Sequence, residues 1–295
     1  MTILNHLVHA LLRAHCARRL CRQGLAVAAM LTALLACSSI DEDHRYIAVD
    51  RQQQPADSDS TAVLPQQRRV LIEDFTGQRC VNCPNAANEI ARLKAAYGAD
   101  TIIAVSIHGG DLAVYSTDRL LGLRTALGDE YNRRWGVDAW PKGMVNRQQP
   151  PTTIDQWFTL VDNALRLTAP VAISATATLS DSTIAVSTTL EGLDSVDGSL
   201  QLWLTESAIV AQQMMPDGSA NRTYEHNHVL RAAINGSWGE AVRLSPGQHV
   251  QLDRSIKADR LWNTANLSVV AFVYSASTGE VLQVRECPVT AAPAQ

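Results

Sequence analysis

The chain has 295 residues, of which 46% are hydrophobic and 18% charged, with a formal net charge of −4 at pH 7. Removing residues 1–36, which hold four arginines and no acid, leaves 21 Lys+Arg against 29 Asp+Glu, a formal charge of −8. That sign excludes the basic footprint of a nucleic-acid binder, and the placement of the cysteines fits an oxidising compartment.

The N-terminal stretch carries Arg13, Arg18, Arg19 and Arg22 ahead of the twelve-residue apolar run LAVAAMLTALLA. The run is too short to span a bilayer, and a basic flank before a short apolar core is the export pattern, so residues 1–36 read as a signal peptide. LLAC matches the bacterial lipobox, which implies cleavage before Cys37 and acylation of that residue; a plain secretory signal with an incidental cysteine is the alternative. The basic region is long, which suggests a true start codon further along. Cys16 and Cys21 leave with the leader. Residues 37–67 follow as an acidic, polar tether containing Asp41-Glu42-Asp43 and the run DRQQQPADSDSTAVLPQQRR.

Next comes LIEDFTGQRCVNCP, an apolar strand-like segment followed by Cys80-Val81-Asn82-Cys83 and a helix-like one. A dithiol so placed puts its first sulfur at or just before a helix N-terminus, where unpaired N–H groups and the macrodipole favour thiolate over thiol. A structural zinc needs about four ligands; no second Cys-X-X-Cys follows, and Pro84 rather than His after Cys83 excludes haem attachment. A redox dithiol and an inert structural disulfide both remain. TIIAVSIHG then reads as a second buried strand, DRLLGLRTALGDEYNRRWG as helix or turn, and VDAWPKGMVNR as a turn entering another strand.

These residues resemble the thioredoxin superfamily over about residues 68–167. The resemblance implies an α/β fold in which Cys80 attacks and Cys83 resolves. It places Asp74 as the buried acid beneath the dithiol and Phe75 in its hydrophobic support. It puts a cis-proline at Pro141, with Trp140 beside it lining a substrate groove. The sequence departs from that family at Arg79, which stands where tryptophan is usual, and at Val81-Asn82, which replace Gly-Pro. Arg79 is either a neighbour that stabilises a Cys80 thiolate or an ordinary solvent-facing arginine.

From about residue 168 the texture changes. VAISATATL and STIAVSTTL alternate around a Ser-Asp turn, and LQLWL, AVRL, HVQLD, LSVVAFVY and VLQVRE follow at similar spacing, with STG as a hairpin turn. Period two with regular turns predicts an all-β immunoglobulin-like sandwich over residues 168–295. Its single cysteine, Cys287, reads as a core residue. His226 and His228 would share one side of a strand; two ligands are too few for a metal site, so a structural role with Glu225 or Arg231 is expected. His108 is expected at the domain edge. Asp59, Asp181 and Asp194 open triplets that resemble Bacteroidetes O-glycosylation sites.

Lipobox, acidic linker, the Cys-X-X-Cys string, WPKGMVNR and YEHNHVLR together resemble the 28-kDa outer-membrane lipoprotein family of Bacteroidetes. The implied protein is anchored in the outer membrane through Cys37, on the periplasmic or the cell-surface face. The expected function is thiol-disulfide exchange with envelope proteins through Cys80 and Cys83, with Asp74 managing the proton and no dissociable cofactor, metal or nucleic acid involved. The rival is a non-catalytic binding protein, of adhesin or receptor type, with a structural disulfide.

Overall fold

In the computed structural model, which describes residues 66–292, VLIEDFT forms β2 (Val70–Thr76), buried throughout. A two-residue β1 (Gln66–Gln67) precedes it. The expected leader, Cys37, Asp59 and nearly all of the tether lie outside the described residues. β2 runs parallel to β3 (Ile102–His108), the buried IIAVSIH run. Strands covered on both faces carry near-continuous apolar residues, which is why this pair does not alternate in polarity.

Helix α1 (Cys83–Tyr97) connects the two strands. Pro84 lies in its first turn, where the missing N–H costs nothing, and Gly98 ends it at φ 97°. Cys83, Ala86, Ile90 and Leu93 form its buried stripe, and the last three pack on Val70, Ile72, Ile102 and Ala104. Even-numbered residues of β2 and β3 therefore face α1. Odd-numbered ones, such as Leu71, Phe75, Ile103, Val105 and Ile107, face a second core.

After β3 come α2 (Ala126–Arg134), whose N-cap Thr125 accepts from the Gly128 N–H, and β4 (Lys142–Val145), antiparallel to β2. The sequence reading of a turn entering a strand holds here, and the Trp140–Pro141 peptide is cis. Helix α3 (Trp157–Leu165) and β5 (Thr168–Ala169), paired with β1, close the first half.

Apart from a 3-10 turn at Thr264–Asn266, the regular elements of the second half are strands: β6 (Val171–Ser180), β7 (Thr183–Gly192), β8 (Val196–Glu206), β9 (Ile209–Met214), β10 (Ala220–His226), β11 (Val229–Ala233), β12 (Glu240–Leu244), β13 (His249–Lys257), β14 (Leu267–Ser275) and β15 (Val281–Ala291). The Ser-Asp and STG turns close hairpins β6–β7 and β14–β15. Hydrogen bonding runs β13-β7-β6-β15-β14-β8-β11-β3-β2-β4, with β12 also on β8, in one eleven-stranded mixed sheet. Strands on either side of residue 168 are thus joined: β11 pairs with β3 in parallel through Val229 and Ser106.

This junction explains why LQLWL and LSVVAFVY alternate poorly. Leu200, Leu202, Leu204, Val269, Ala271 and Val273 share one core with Val171, Ile184, Val186 and Leu190. From the opposite faces of β8 and β14, Trp203, Val270 and Phe272 pack on Leu71, Phe75, Ile103 and Tyr131. Among the described residues no helix is long and apolar enough to cross a membrane.

Candidate functional site

Cys80 and Cys83 form a disulfide at the end of the loop after β2. The first helical residue is Cys83, whereas Cys80 lies in the preceding turn, its N–H donating to the Gly77 carbonyl at 3.0 Å. Cys80 thus stands just before the helix N-terminus, and Cys83 opens the helix. Both cysteines are only 3% exposed.

Behind Cys83 opens a cavity of about 310 Å³. Its floor is the even-numbered face of the β2–β3 pair, where register sets Asp74 beside Ser106 and Thr76 beside His108. Its roof is α1, through Pro84, Ile90 and Lys94. The third wall comes from the second half of the chain: Gln213 of β9, Tyr224 and His226 of β10, and His228 in the turn to β11.

Asp74 is buried and its Oδ1 has no hydrogen-bond partner. Desolvation pushes its carboxyl up to about 8, so it holds a proton at neutral pH. Burial lowers His226 and His228 to about 4 and takes His108 well below the ordinary histidine range, so all three imidazoles are neutral. His108 meets His226 edge-on at 5.6 Å between centroids, and Tyr224 meets His226 at 4.8 Å. Lys94 Nζ lies 3.1 Å from His228 Nε2. His108 Nδ1, His226 Nε2 and His228 Nδ1 are buried without partners.

Two expectations about the histidines are corrected. His226 ends β10 while His228 sits in the following turn at φ 58°, so the backbone turn, and not strand periodicity, brings both to the cavity. Neither expected partner serves them: Glu225 accepts from Asn227 and Arg231 pairs with Glu206 at 2.7 Å. His108, the last residue of β3, is buried, 3% exposed, where the first half meets His226 of the second.

Trp140, Pro141 and Arg79 lie outside this cavity. The last β2–β4 pair is Phe75 with Lys142, and Pro141 directly precedes it, near the strand end that leads to the disulfide. The Trp140 indole covers Gly110, leaving no room there for a Cβ, and it packs against the second core. Arg79 is exposed; its backbone N–H donates to the Leu112 carbonyl at 2.9 Å.

Gln213 and Gln78 escaped the sequence reading. Gln213 Nε2 donates to the Cys80 carbonyl at 2.9 Å, and Gln78 takes the Leu123 N–H on its side-chain oxygen while donating to the Leu121 and Gln212 carbonyls. Lone glutamines carry no spacing signal. Cys287 is buried and free, its thiol raised to about 11 by burial, which makes it unreactive. Among the described residues no group of three or more His, Cys, Asp and Glu is placed to hold a metal ion.

No curated protein matches the chain. Among solved structures it is similar to HBP35 of Porphyromonas gingivalis, at 15% identity and a TM-score of 0.61 over 78% of each chain, a likeness of fold alone. A domain of the outer membrane lipoprotein Omp28 from the same organism aligns at 26% identity and a TM-score of 0.31, covering 42% of this chain and 90% of that domain. The family model for outer membrane protein Omp28 matches residues 128–292, more than half of the sequence and including the β10 wall of the cavity, and the chain therefore belongs to the Omp28 family.

Proposed function

We propose that this Omp28 protein is a lipid-anchored envelope thiol-disulfide oxidoreductase. In this reading residues 68–167 are a thioredoxin-like unit, residues 168–295 an immunoglobulin-like sandwich, and the chain is held at the outer membrane by acylated Cys37. The observation that carries it is the Cys80–Cys83 disulfide, whose Cys83 lines the same cavity as Asp74, a buried acid with one carboxyl oxygen unpartnered.

A substrate thiolate attacks Cys80 Sγ, forming a mixed disulfide as the Cys80–Cys83 bond breaks. The departing Cys83 thiolate takes the proton that Asp74 holds at neutral pH. A second substrate thiolate then attacks the substrate sulfur, expelling Cys80 as thiolate. Two electrons pass from the substrate dithiol, oxidised to a disulfide, to the protein pair, reduced to a dithiol, and the reverse sequence reduces a substrate disulfide. Trp140, Pro141 and Arg79, around the strand end that leads to the disulfide, would form the groove for the substrate chain.

The test is the reduction potential of the pair in the full-length chain against glutathione, together with trapping by Cys83→Ser. Equilibration with glutathione and a mixed disulfide through Cys80 are expected. A potential below about −300 mV, with nothing trapped from the envelope, would sink the reading. Intact-mass measurement of the native protein should find a lipidated N-terminal Cys37; an unmodified residue there would remove the anchor.

A second reading, a binding protein with a structural disulfide, is favoured by one observation: both cysteines are 3% exposed, beneath contacts that include Gln213. The same potential measurement separates the two.

A further inference from the structure

Two arginines and no acid line an open groove of about 400 Å³ beside the dithiol loop. One wall is Arg119 and Leu121, from the loop between β3 and α2. The other is Val210 and Gln212 of β9 with Arg222 of β10. Both arginines are exposed, and neither has an ion-pair partner among the described residues. Arg124 of the same loop is, by contrast, held by Asp129 at 2.9 Å. Between the two cations, Leu121 and Val210 leave 43% and 57% of their surface in water.

Gln78 fixes this groove to the dithiol. Its side-chain nitrogen donates to the carbonyls of Leu121 and Gln212, one on each wall, at 3.0 and 3.1 Å. Its own carbonyl accepts from the Met214 N–H at 2.8 Å. Cys80 lies two residues further along, so at most about 7 Å of chain separates it from this anchor. The loop that carries Arg119 and Leu121 also runs under Trp140 at Gly110 and takes the Arg79 N–H on its Leu112 carbonyl. The groove therefore adjoins the surface assigned above to the substrate chain.

We propose that protein substrates dock here, each laying into the groove an extended segment that carries a carboxylate and an apolar side chain within about five residues of its reacting cysteine.

The chemistry of the walls selects that class. A guanidinium presents a planar fork of N–H donors that matches a carboxylate, and Leu121 and Val210 offer apolar surface that a neighbouring aliphatic side chain would cover. Without residues 1–36 the chain carries a formal charge of −8, so its overall field repels acidic segments and their recognition has to be local. An anionic lipid surface would also attract two arginines, but it brings no sulfur to Cys80.

This docking role rests on the thiol-exchange reading, and two peptides test it separately. One has Leu-Glu on each side of a single cysteine; its counterpart has Lys for each Glu. With serine in place of the cysteine, both can be labelled and titrated against the oxidised full-length chain, so that docking is read by fluorescence anisotropy without any exchange. Wild type should bind the acidic peptide about fivefold more tightly, the scale of two exposed ion pairs, and the difference should shrink in about 0.5 M salt. The cysteine peptides should reduce the protein disulfide at rates in the same ratio, two peptide thiols leaving as one disulfide. Arg119→Glu/Arg222→Glu should reverse the preference in both assays, a result that unfolding cannot imitate. If that chain does not fold, Arg119→Gln and Arg222→Gln should each narrow the preference about twofold.

Equal binding of the two peptides by wild type, or a preference untouched by these substitutions, would overturn the proposal. Binding of anionic phospholipid vesicles through the same two arginines, with no discrimination between peptides, would overturn it too. A wild type that discriminates the serine peptides yet is inert toward the cysteine ones overturns only the exchange reading.

Discussion

Asp74 sets the pH behaviour of the site and of the fold with opposite consequences. Its folded carboxyl binds a proton up to about 8, whereas in the unfolded chain it loses that proton near 4. Between those values the folded state holds the extra proton, so Asp74 subtracts stability progressively as pH rises and subtracts nothing below about 4. Asp74→Asn should therefore be more stable than wild type at pH 8, by an amount on the order of a few kcal/mol, with the gap closing toward pH 4. Guanidinium unfolding of the oxidised chain at several pH values measures this; a gap independent of pH would contradict the raised carboxyl. The same variant should slow disulfide exchange near neutral pH by ~10²-fold or less, since water partly substitutes for the lost acid. His226 and His228, held at about 4, act in the other direction: their contribution is complete above about 6.5 and is lost as pH falls toward 4. Asp74, Cys80 and Cys83 were legible in the sequence because they sit within one short string. The histidine wall was not, because it reaches the dithiol from more than a hundred positions away.

At the level of elements, the two halves are riveted by the loop after β4. Asn146 and Arg147 both take left-handed conformations, with φ of 47° and 54°. Asn146 Oδ1 accepts from the Leu71 N–H at 2.7 Å, and its carbonyl accepts from the Val281 N–H at 2.8 Å, so one residue ties β2 to the start of β15. Arg147 makes a two-pronged, buried ion pair with Glu73 at 2.8 and 2.9 Å, and its guanidinium is ringed by Trp135, Trp203, Phe272 and Tyr274. Arg147→Met should cost about 3–5 kcal/mol by leaving Glu73 buried and unpaired, whereas Glu73→Leu/Arg147→Met should recover most of that loss. Denaturant unfolding of the three chains checks it, and a double variant as unstable as the single would mean that the ring of aromatics, and not the pair, depends on Arg147. Elements whose burial alternates or whose turns carry Asp, Ser and Gly, such as β6, β7 and the β14–β15 hairpin, could be read from the sequence. Glu73 and Arg147 could not, since a charged residue in a strand looks solvent-facing until its partner is known.

For the whole molecule, the change of texture near residue 168 marks a change in architecture, yet the hydrogen-bonded sheet and one of its cores continue across it. Residues 68–167 alone would expose Leu71, Phe75, Ile103, Val105, Ile107, Tyr131 and Met144 on the face that Trp203, Leu230, Val270 and Phe272 otherwise cover. That fragment should lack a dispersed amide spectrum; a well-dispersed one would show that the first half is self-sufficient. Period and composition reveal where strands begin and end but not which strand lies beside which, so the β3–β11 junction had no signature. The Gln213 contact with the Cys80 carbonyl carries a consequence in time, because the two residues are 133 positions apart. A chain delivered N-terminus first presents both thiols long before β9 and β10 arrive to cover them. An oxidant can reach the pair freely during that interval, whereas in the finished protein both cysteines are buried, so under the proposed exchange function the first oxidation of the pair obeys different rules from any later one.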